Sequence, residues 1–166
     1  MPTVASEPKG RAPRRSRRAS AKRADEGNGS FRYIETSALL AALLERDAAA
    51  QRAVAGKGRR ITSALTFAEA TRGLLRARLG GRLSAEEERA AIRWLRSFRR
   101  SCDVMSITES VLVRAGRPYP VETIRTLDAI HLATAAEIGE PPQLITLVTR
   151  DDRVRSNAQA LGHPVE

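Results

Sequence analysis

Residues 31–40 constrain this chain more than any other stretch. Phe31, Tyr33 and Ile34 are the aromatic and β-branched types that strands prefer. Glu35 follows, then Thr36-Ser37, then an apolar run from Ala38 to Leu44. That order predicts a buried strand over 31–35, a sharp turn, and a helix over 37–46 that is apolar nearly all round and therefore well buried. An acid at the carboxyl end of such a strand sits at the rim of the sheet, where open α/β sheets bind ligands. Glu69, Asp128 and Asp151 fall at comparable strand ends or helix starts. Carboxylates brought to one rim repel one another unless protons or a cation neutralise them. Hydrated Mg²⁺ is the usual neutraliser where the substrate is a phosphate ester.

The rest of the chain repeats the alternation. A second short helix fits 47–55, and Arg60-Ile61-Thr62 reads as a brief strand. A helix beginning near Thr66 runs to Gly80-Gly81, and Thr66 with Glu69 has the spacing of a capping box. Glu69 thus has two readings, helix cap or rim ligand. Ser84 and Glu87 open the next helix with the same spacing, and Trp94, Leu95 and Phe98 lie on its apolar face. Trp94 reads first as a core residue. A strand over 103–107, a short helix capped by Thr108, and a helix over 123–138 follow. An apolar strand over 144–149 stops at Arg150-Asp151-Asp152. A last helix covers 154–161, with an edge strand at 164–165. Asp151 is also a natural N-cap of that last helix, and Asp128 lies early in its own helix, where the dipole favours an acid. Strands alternating with helices imply α/β with a mainly parallel sheet.

Charge sets the expected partner. The 166 residues carry a formal net charge of +10, spread over an arginine-rich tail and the remainder alike. Such a balance favours an anionic partner, nucleic acid first, although an arginine-rich surface that is merely solvated has the same composition. Residues 1–30 contain Arg11, Arg14, Arg15, Arg17 and Arg18 and little that is apolar, so they are expected to be a disordered basic tail beside one domain over 31–166. Two readings of the tail stay open, a basic arm for RNA or a segment ahead of the true start. The single cysteine, Cys102, leaves no intrachain disulfide framework and fits a cytoplasmic protein. No apolar run approaches a membrane span. His131 reads as a packed, hydrogen-bonded structural residue, and His163, in a Gly-His-Pro turn, as exposed.

Four segments together resemble a known family. Tyr33-Ile34-Glu35-Thr36-Ser37-Ala38-Leu39 is similar to the opening motif of PIN domains, particularly VapC-type toxins. Residues 63–69, ending Phe67-Ala68-Glu69, resemble the second motif. Leu127-Asp128-Ala129-Ile130-His131-Leu132-Ala133 resembles the third. Leu147-Val148-Thr149-Arg150-Asp151, with the Gly162-His163-Pro164 segment behind it, resembles the last. The resemblance covers 31–166 and implies a three-layer α/β/α PIN fold. It further implies an endoribonuclease dependent on Mg²⁺ or Mn²⁺, acting on RNA, paired with a cognate antitoxin and dimerising with itself. The metal-binding and catalytic acids carry over to Glu35, Glu69, Asp128 and Asp151. Ser37 and Thr149 match the small hydroxyl positions beside the metal; local turn hydrogen bonding is their other reading. The departure is Glu35, because the family normally has aspartate there.

Glu35 is also the basis of an alternative from another class, a catalytically weak PIN domain that binds RNA or a protein partner without cutting. A phosphoacceptor domain also places acids at strand ends, but it needs a lysine near the end of a late strand, and 144–150 contain none. The family's antitoxins lay an apolar segment between two helices, which suggests a groove between the helices 66–79 and 84–99 with Phe67, Leu75, Trp94 and Phe98 as anchors.

Overall fold

The computed structural model describes residues 30–166; the expectations about the tail up to residue 29 lie outside the described residues. Four parallel strands make one sheet: β1 (Phe31–Ile34), β2 (Arg59–Ser63), β3 (Asp103–Met105) and β4 (Ile145–Val148), in the order β3-β2-β1-β4. Tyr33 lies opposite Ile61 on one side and Leu147 on the other. Beyond β4, Leu147 bridges to Val165 in parallel, so the expected edge strand is present as a single bridge.

Because successive strand side chains point to opposite faces, Tyr33 and Ile34 found two cores. Ile34 packs with Leu39, Val54, Leu74, Leu95, Phe98 and Val148. These come from the helices α1 (Thr36–Leu44), α2 (Ala48–Ala55), α3 (Ala64–Leu79) and α4 (Ala85–Arg100), together with β4. Tyr33 packs on the other face with Leu132, Leu147, Val154 and Ala158, which brings in α6 (Thr126–Ala136) and α7 (Asp152–Ala160). The short α5 (Glu109–Ala115) rests on α6 through Val111, Ile130 and Ala133. The result is the expected α/β/α sandwich. Each fully buried Leu or Ile contributes about 2 kcal/mol of transfer free energy.

Several boundaries differ from the sequence reading, and two of them matter for the site. Ser63, not Thr66, caps α3, its hydroxyl accepting from the Leu65 N–H at 3.2 Å. Thr66 is therefore inside the helix, where it receives a hydrogen bond from Thr62 at 2.8 Å, and Glu69 is not part of a cap. At the other site helix, Thr123 has φ +71°, a left-handed value that a helix cannot contain, so α6 starts at Thr126. The capping box of Ser84 and Glu87 is formed as the spacing predicts.

Arg32, on β1, is buried although charged. Its guanidinium donates to both oxygens of Glu166 at 2.9 and 2.7 Å and to the Ala53 carbonyl at 2.6 Å. Gly56 leaves the room, since a Cβ there would stand 2.7 Å from Arg32 Cζ. This clamp and the backbone pairing of 164–166 with β4 draw the preceding turn inward. His163 is consequently buried, not exposed, and its Nδ1 lies 3.1 Å from the Ile145 carbonyl, to which it donates. Burial pushes the His163 pKa down.

A depressed histidine pKa means that the unfolded chain binds the proton more tightly. Stability should therefore be intact above the unfolded value near 6.5 and fall as pH drops through it. We expect urea unfolding to show a loss of no more than about 1 kcal/mol from this group between pH 7.5 and 5.5, after screening. His163→Gln should remove that component. An identical pH slope in wild type and variant would show that His163 does not contribute.

Candidate metal centre

Glu35 leaves β1 directly into α1. Its N–H still donates to the Val148 carbonyl at 3.0 Å, and its backbone is extended, as an N-cap requires. The side chain folds back over the helix start. Oε2 accepts from the Ser37 N–H at 3.0 Å, from the Thr149 hydroxyl at 2.9 Å and, in a short contact, from the Ser37 hydroxyl. The extra methylene relative to aspartate is thus taken up by retraction onto the cap. The residue is buried, and Oε1 lies 3.8 Å from His131 Nε2. The same two hydroxyls also tie down the segment after β4, Ser37 receiving the N–H of Arg150 and Thr149 that of Asp151.

Glu69 reaches the site from α3 because the helix starts early. Its Oε2 accepts from the Thr36 hydroxyl at 2.6 Å and faces His131 Nε2 at 2.8 Å. Burial works against its charge, but the hydrogen bonds from His131 and Thr36 prevail and hold the carboxyl below its ordinary range. His131, on α6, is 1% exposed, with Nδ1 2.9 Å from the Tyr33 hydroxyl. Ligand atoms of Glu35, Glu69 and His131 lie within 4.8 Å of one another.

Asp128 and Asp151 are outside that tight group. Asp151 caps α7 with Oδ1, which accepts from Arg153 and Val154 at 2.8 and 3.2 Å. Asp128 sits in the first turn of α6. Burial raises its pKa first, and the charges of Asp151 and Glu35 raise it further, so the three acids are electrostatic neighbours. Its Oδ2 is buried without a hydrogen-bond partner. Of the four sequence candidates, then, two share a cluster, a third feels its charge, and the fourth is a helix cap beside the third. The cap reading applies to Asp151 and fails for Glu69.

His131 is packed and hydrogen-bonded as the sequence predicts; what sequence reasoning did not foresee is its place beside the acids. The signal was a histidine inside the otherwise buried run 129–135, which must find partners for both ring nitrogens. One of those partners is a candidate ligand.

The donor set suits a hard divalent ion. Glu35 Oε1, Glu69 Oε1, Asp128 Oδ2 and Asp151 Oδ2 accept no hydrogen bond among the described residues. A buried carboxylate oxygen left without a donor costs about 1–3 kcal/mol or more when charged. An oxygen-seeking divalent cation bound there would offset both that cost and the mutual repulsion.

Comparison with known proteins bears on the family and the fold. The family description "PIN domain" matches residues 32–159. Ribonuclease VapC46 of Mycobacterium tuberculosis is 37% identical over 135 residues, covering 80% of this chain and 94% of the relative. Among solved structures, VapC20 of Mycobacterium tuberculosis, a sarcin-ricin loop cleaving toxin, aligns with a TM-score of 0.54 at 21% identity, over 80% of this chain and 95% of that one. VapBC2 from Rickettsia felis, solved with a promoter DNA fragment, aligns with a TM-score of 0.55 at 14% identity, over 82% and 97%. These structural likenesses show the fold.

Proposed function

The chain belongs to the PIN-domain family, and from that premise we propose that it is a divalent-metal-dependent endoribonuclease, the toxin of a VapBC-type pair. The observation that carries the reading is the Glu35–Glu69–His131 cluster with the unpartnered Asp128 Oδ2 beside it. The domain over 31–166 is the acting unit. Glu35, Glu69, Asp128 and Asp151 would hold the ion, and Ser37 and Thr149 orient Glu35. A bound Mg²⁺ or Mn²⁺ supplies Lewis acidity toward a phosphodiester and offsets developing negative charge.

The chain's own residues do the rest. Ser37 and Thr149 fix one oxygen of Glu35 and leave the other free. The charge of Arg76 helps to lower the Glu69 carboxyl, and that of Arg125 partly opposes the rise at Asp128. In this reading these two arginines hold the RNA backbone near the acids, so binding should fall with salt. Arg150 is engaged elsewhere, donating to Asp47 at 3.2 Å. The non-cleaving alternative rested on Glu35; its retracted carboxylate, with one oxygen held and one free, supports the cleaving reading instead.

The direct test incubates the purified protein with a mixed RNA pool in Mg²⁺, in Mn²⁺ and in EDTA. Cleavage with either metal and none in EDTA is expected. Equal cleavage in EDTA, or no cleavage with either metal over a range of RNAs, would overturn the reading.

The partner is a cognate antitoxin, as expected from the family. The expected groove between α3 and α4 is closed, because Phe67 contacts Phe98 and Arg99 covers the Phe67 ring at 4.8 Å. An open groove lies one helix over, between α1 and α4, with a volume of about 510 Å³ and Leu43, Leu44, Leu83, Ala91 and Trp94 in its wall. Trp94 is 39% exposed and stacks on Phe98 at 5.3 Å, so it is a wall residue, not core. Trp94→Ala should leave the domain folded and weaken antitoxin binding by about 2 kcal/mol, the scale of an aromatic anchor. Calorimetry with the cognate antitoxin measures it, and unchanged affinity would move the interface elsewhere.

A further inference from the structure

We propose that His131 is a positioning residue for the metal site, acting through Glu69, with Tyr33 setting the orientation of its ring. The proposal rests on the metal reading above and goes beyond it, since His131 touches neither substrate nor solvent.

The argument begins with proton placement. Nε2 faces the Glu69 Oε2 at 2.8 Å. Two acceptors cannot face each other at that distance, and a carboxylate is an acceptor, so Nε2 carries the proton and donates it. With Nε2 protonated, Nδ1 of the neutral ring is the acceptor, and the Tyr33 hydroxyl donates to it at 2.9 Å. The chain of donors therefore runs from Tyr33 through His131 to Glu69. The Thr36 hydroxyl makes the second donation to Glu69 Oε2 and lies 3.2 Å from Nε2.

This assignment excludes two other roles. A protonated Nε2 has no lone pair for a metal, so His131 is not itself a ligand in this arrangement. At 1% exposure it has no path to a substrate proton, so it is not a general base. Its remaining function is mechanical and electrostatic. Tyr33 is on β1, Thr36 on α1, Glu69 on α3 and His131 on α6. Three helices from both faces of the sheet meet at one carboxylate oxygen, and β1 joins them through the Tyr33–His131 contact. With Oε2 held by two donors, the carboxylate of Glu69 cannot spin, and Oε1 keeps one direction. A ligand held in advance binds its ion without the cost of being ordered; partners of this kind typically govern affinity by about 10–100-fold.

The test reads metal affinity, not activity alone. Mn²⁺ titrations by calorimetry would compare wild type with His131→Leu, His131→Gln, Tyr33→Phe and Asp128→Asn. Leucine fills the space but donates nothing, so His131→Leu should bind Mn²⁺ about tenfold or more weakly. Glutamine can place its amide N–H where Nε2 stood, so His131→Gln should stay within about threefold of wild type. Tyr33→Phe keeps the packing but frees the ring, and should weaken binding severalfold. Wild-type Mn²⁺ affinity in folded His131→Leu overturns the proposal. So does a His131→Gln protein that is folded yet as weak as the leucine variant. Should His131→Leu fail to fold, unchanged affinity in Tyr33→Phe overturns it instead. If Asp128→Asn abolishes Mn²⁺ binding while the His131 variants bind normally, only this proposal falls. If the wild type binds no Mn²⁺, the metal reading falls and takes this proposal with it.

Discussion

Asp128→Asn should lower metal-dependent RNA cleavage by roughly 10³-fold, about 4 kcal/mol of barrier, and leave the protein folded. The change is nearly isosteric, so the packing of α6 survives. What it removes is the charge on a carboxylate whose Oδ2 has no donor among the described residues. That oxygen has no structural duty to lose. The same variant gives a second, opposite signal without metal. The Asp128 pKa is raised by burial and by Asp151 and Glu35. A raised carboxyl binds its proton more tightly in the folded state, so its ionised form is the destabilising one. The deficit is absent at low pH and appears as pH rises through the shifted value. In EDTA at neutral pH the asparagine variant should therefore melt slightly above wild type, and the gap should close on acidification. Saturating Mn²⁺ should reverse the order, because only a protein that binds the ion gains stability by mass action. Wild-type cleavage by Asp128→Asn, or no reversal with Mn²⁺, would remove Asp128 from the site.

Glu35 carries the second large effect. Glu35→Ala deletes a candidate ligand and also the N-cap of α1. Cleavage should fall by at least about 10²-fold, and the lost cap should cost about 1 kcal/mol of stability. Part of that cost is returned by relieving repulsion with Asp128. Glu35→Asp is the more discriminating change, because it restores the side chain usual in the family. The surroundings here fit the longer acid: three donors from Ser37 and Thr149 converge on Oε2, and Oε1 is carried to 3.8 Å from His131. Aspartate can keep the cap, but its free oxygen then withdraws by about one bond length, ~1.5 Å. We expect about a tenfold loss in cleavage. Activity equal to or above wild type in Glu35→Asp would mean that the glutamate is an imperfect ligand in an otherwise ordinary site. Full metal-dependent activity in Glu35→Ala would take it out of the mechanism.

Local chemistry alone determined the architecture. Alternation of apolar β-type segments with capped helices was readable because strand preference, capping spacing and turn glycines act over a few residues. The capping box at Ser84 and Glu87, the cap at Thr108 and the apolar strand before Arg150 all lie where those local rules place them. Glu35 was also legible, since an acid between a strand and a helix has only the rim to occupy. Which acids share a cluster was not legible. That depends on one helix start moved from Thr66 to Ala64, which turned Glu69 from a cap into a partner of Thr36 and His131. It depends as well on the packing of α6 against β1, which brings His131 to Tyr33 from almost a hundred residues away in sequence. The position of His163 was decided the same way, by a clamp between Arg32 and Glu166 across the whole domain. Trp94 stayed half exposed because the α3–α4 seam closed on Phe67 and left α1 and α4 apart. Sequence patterns fix what each segment becomes, because those energies are local. Which side chains meet is set by long-range packing, where a shift of two residues in a helix start decides whether a carboxylate caps a helix or joins a site.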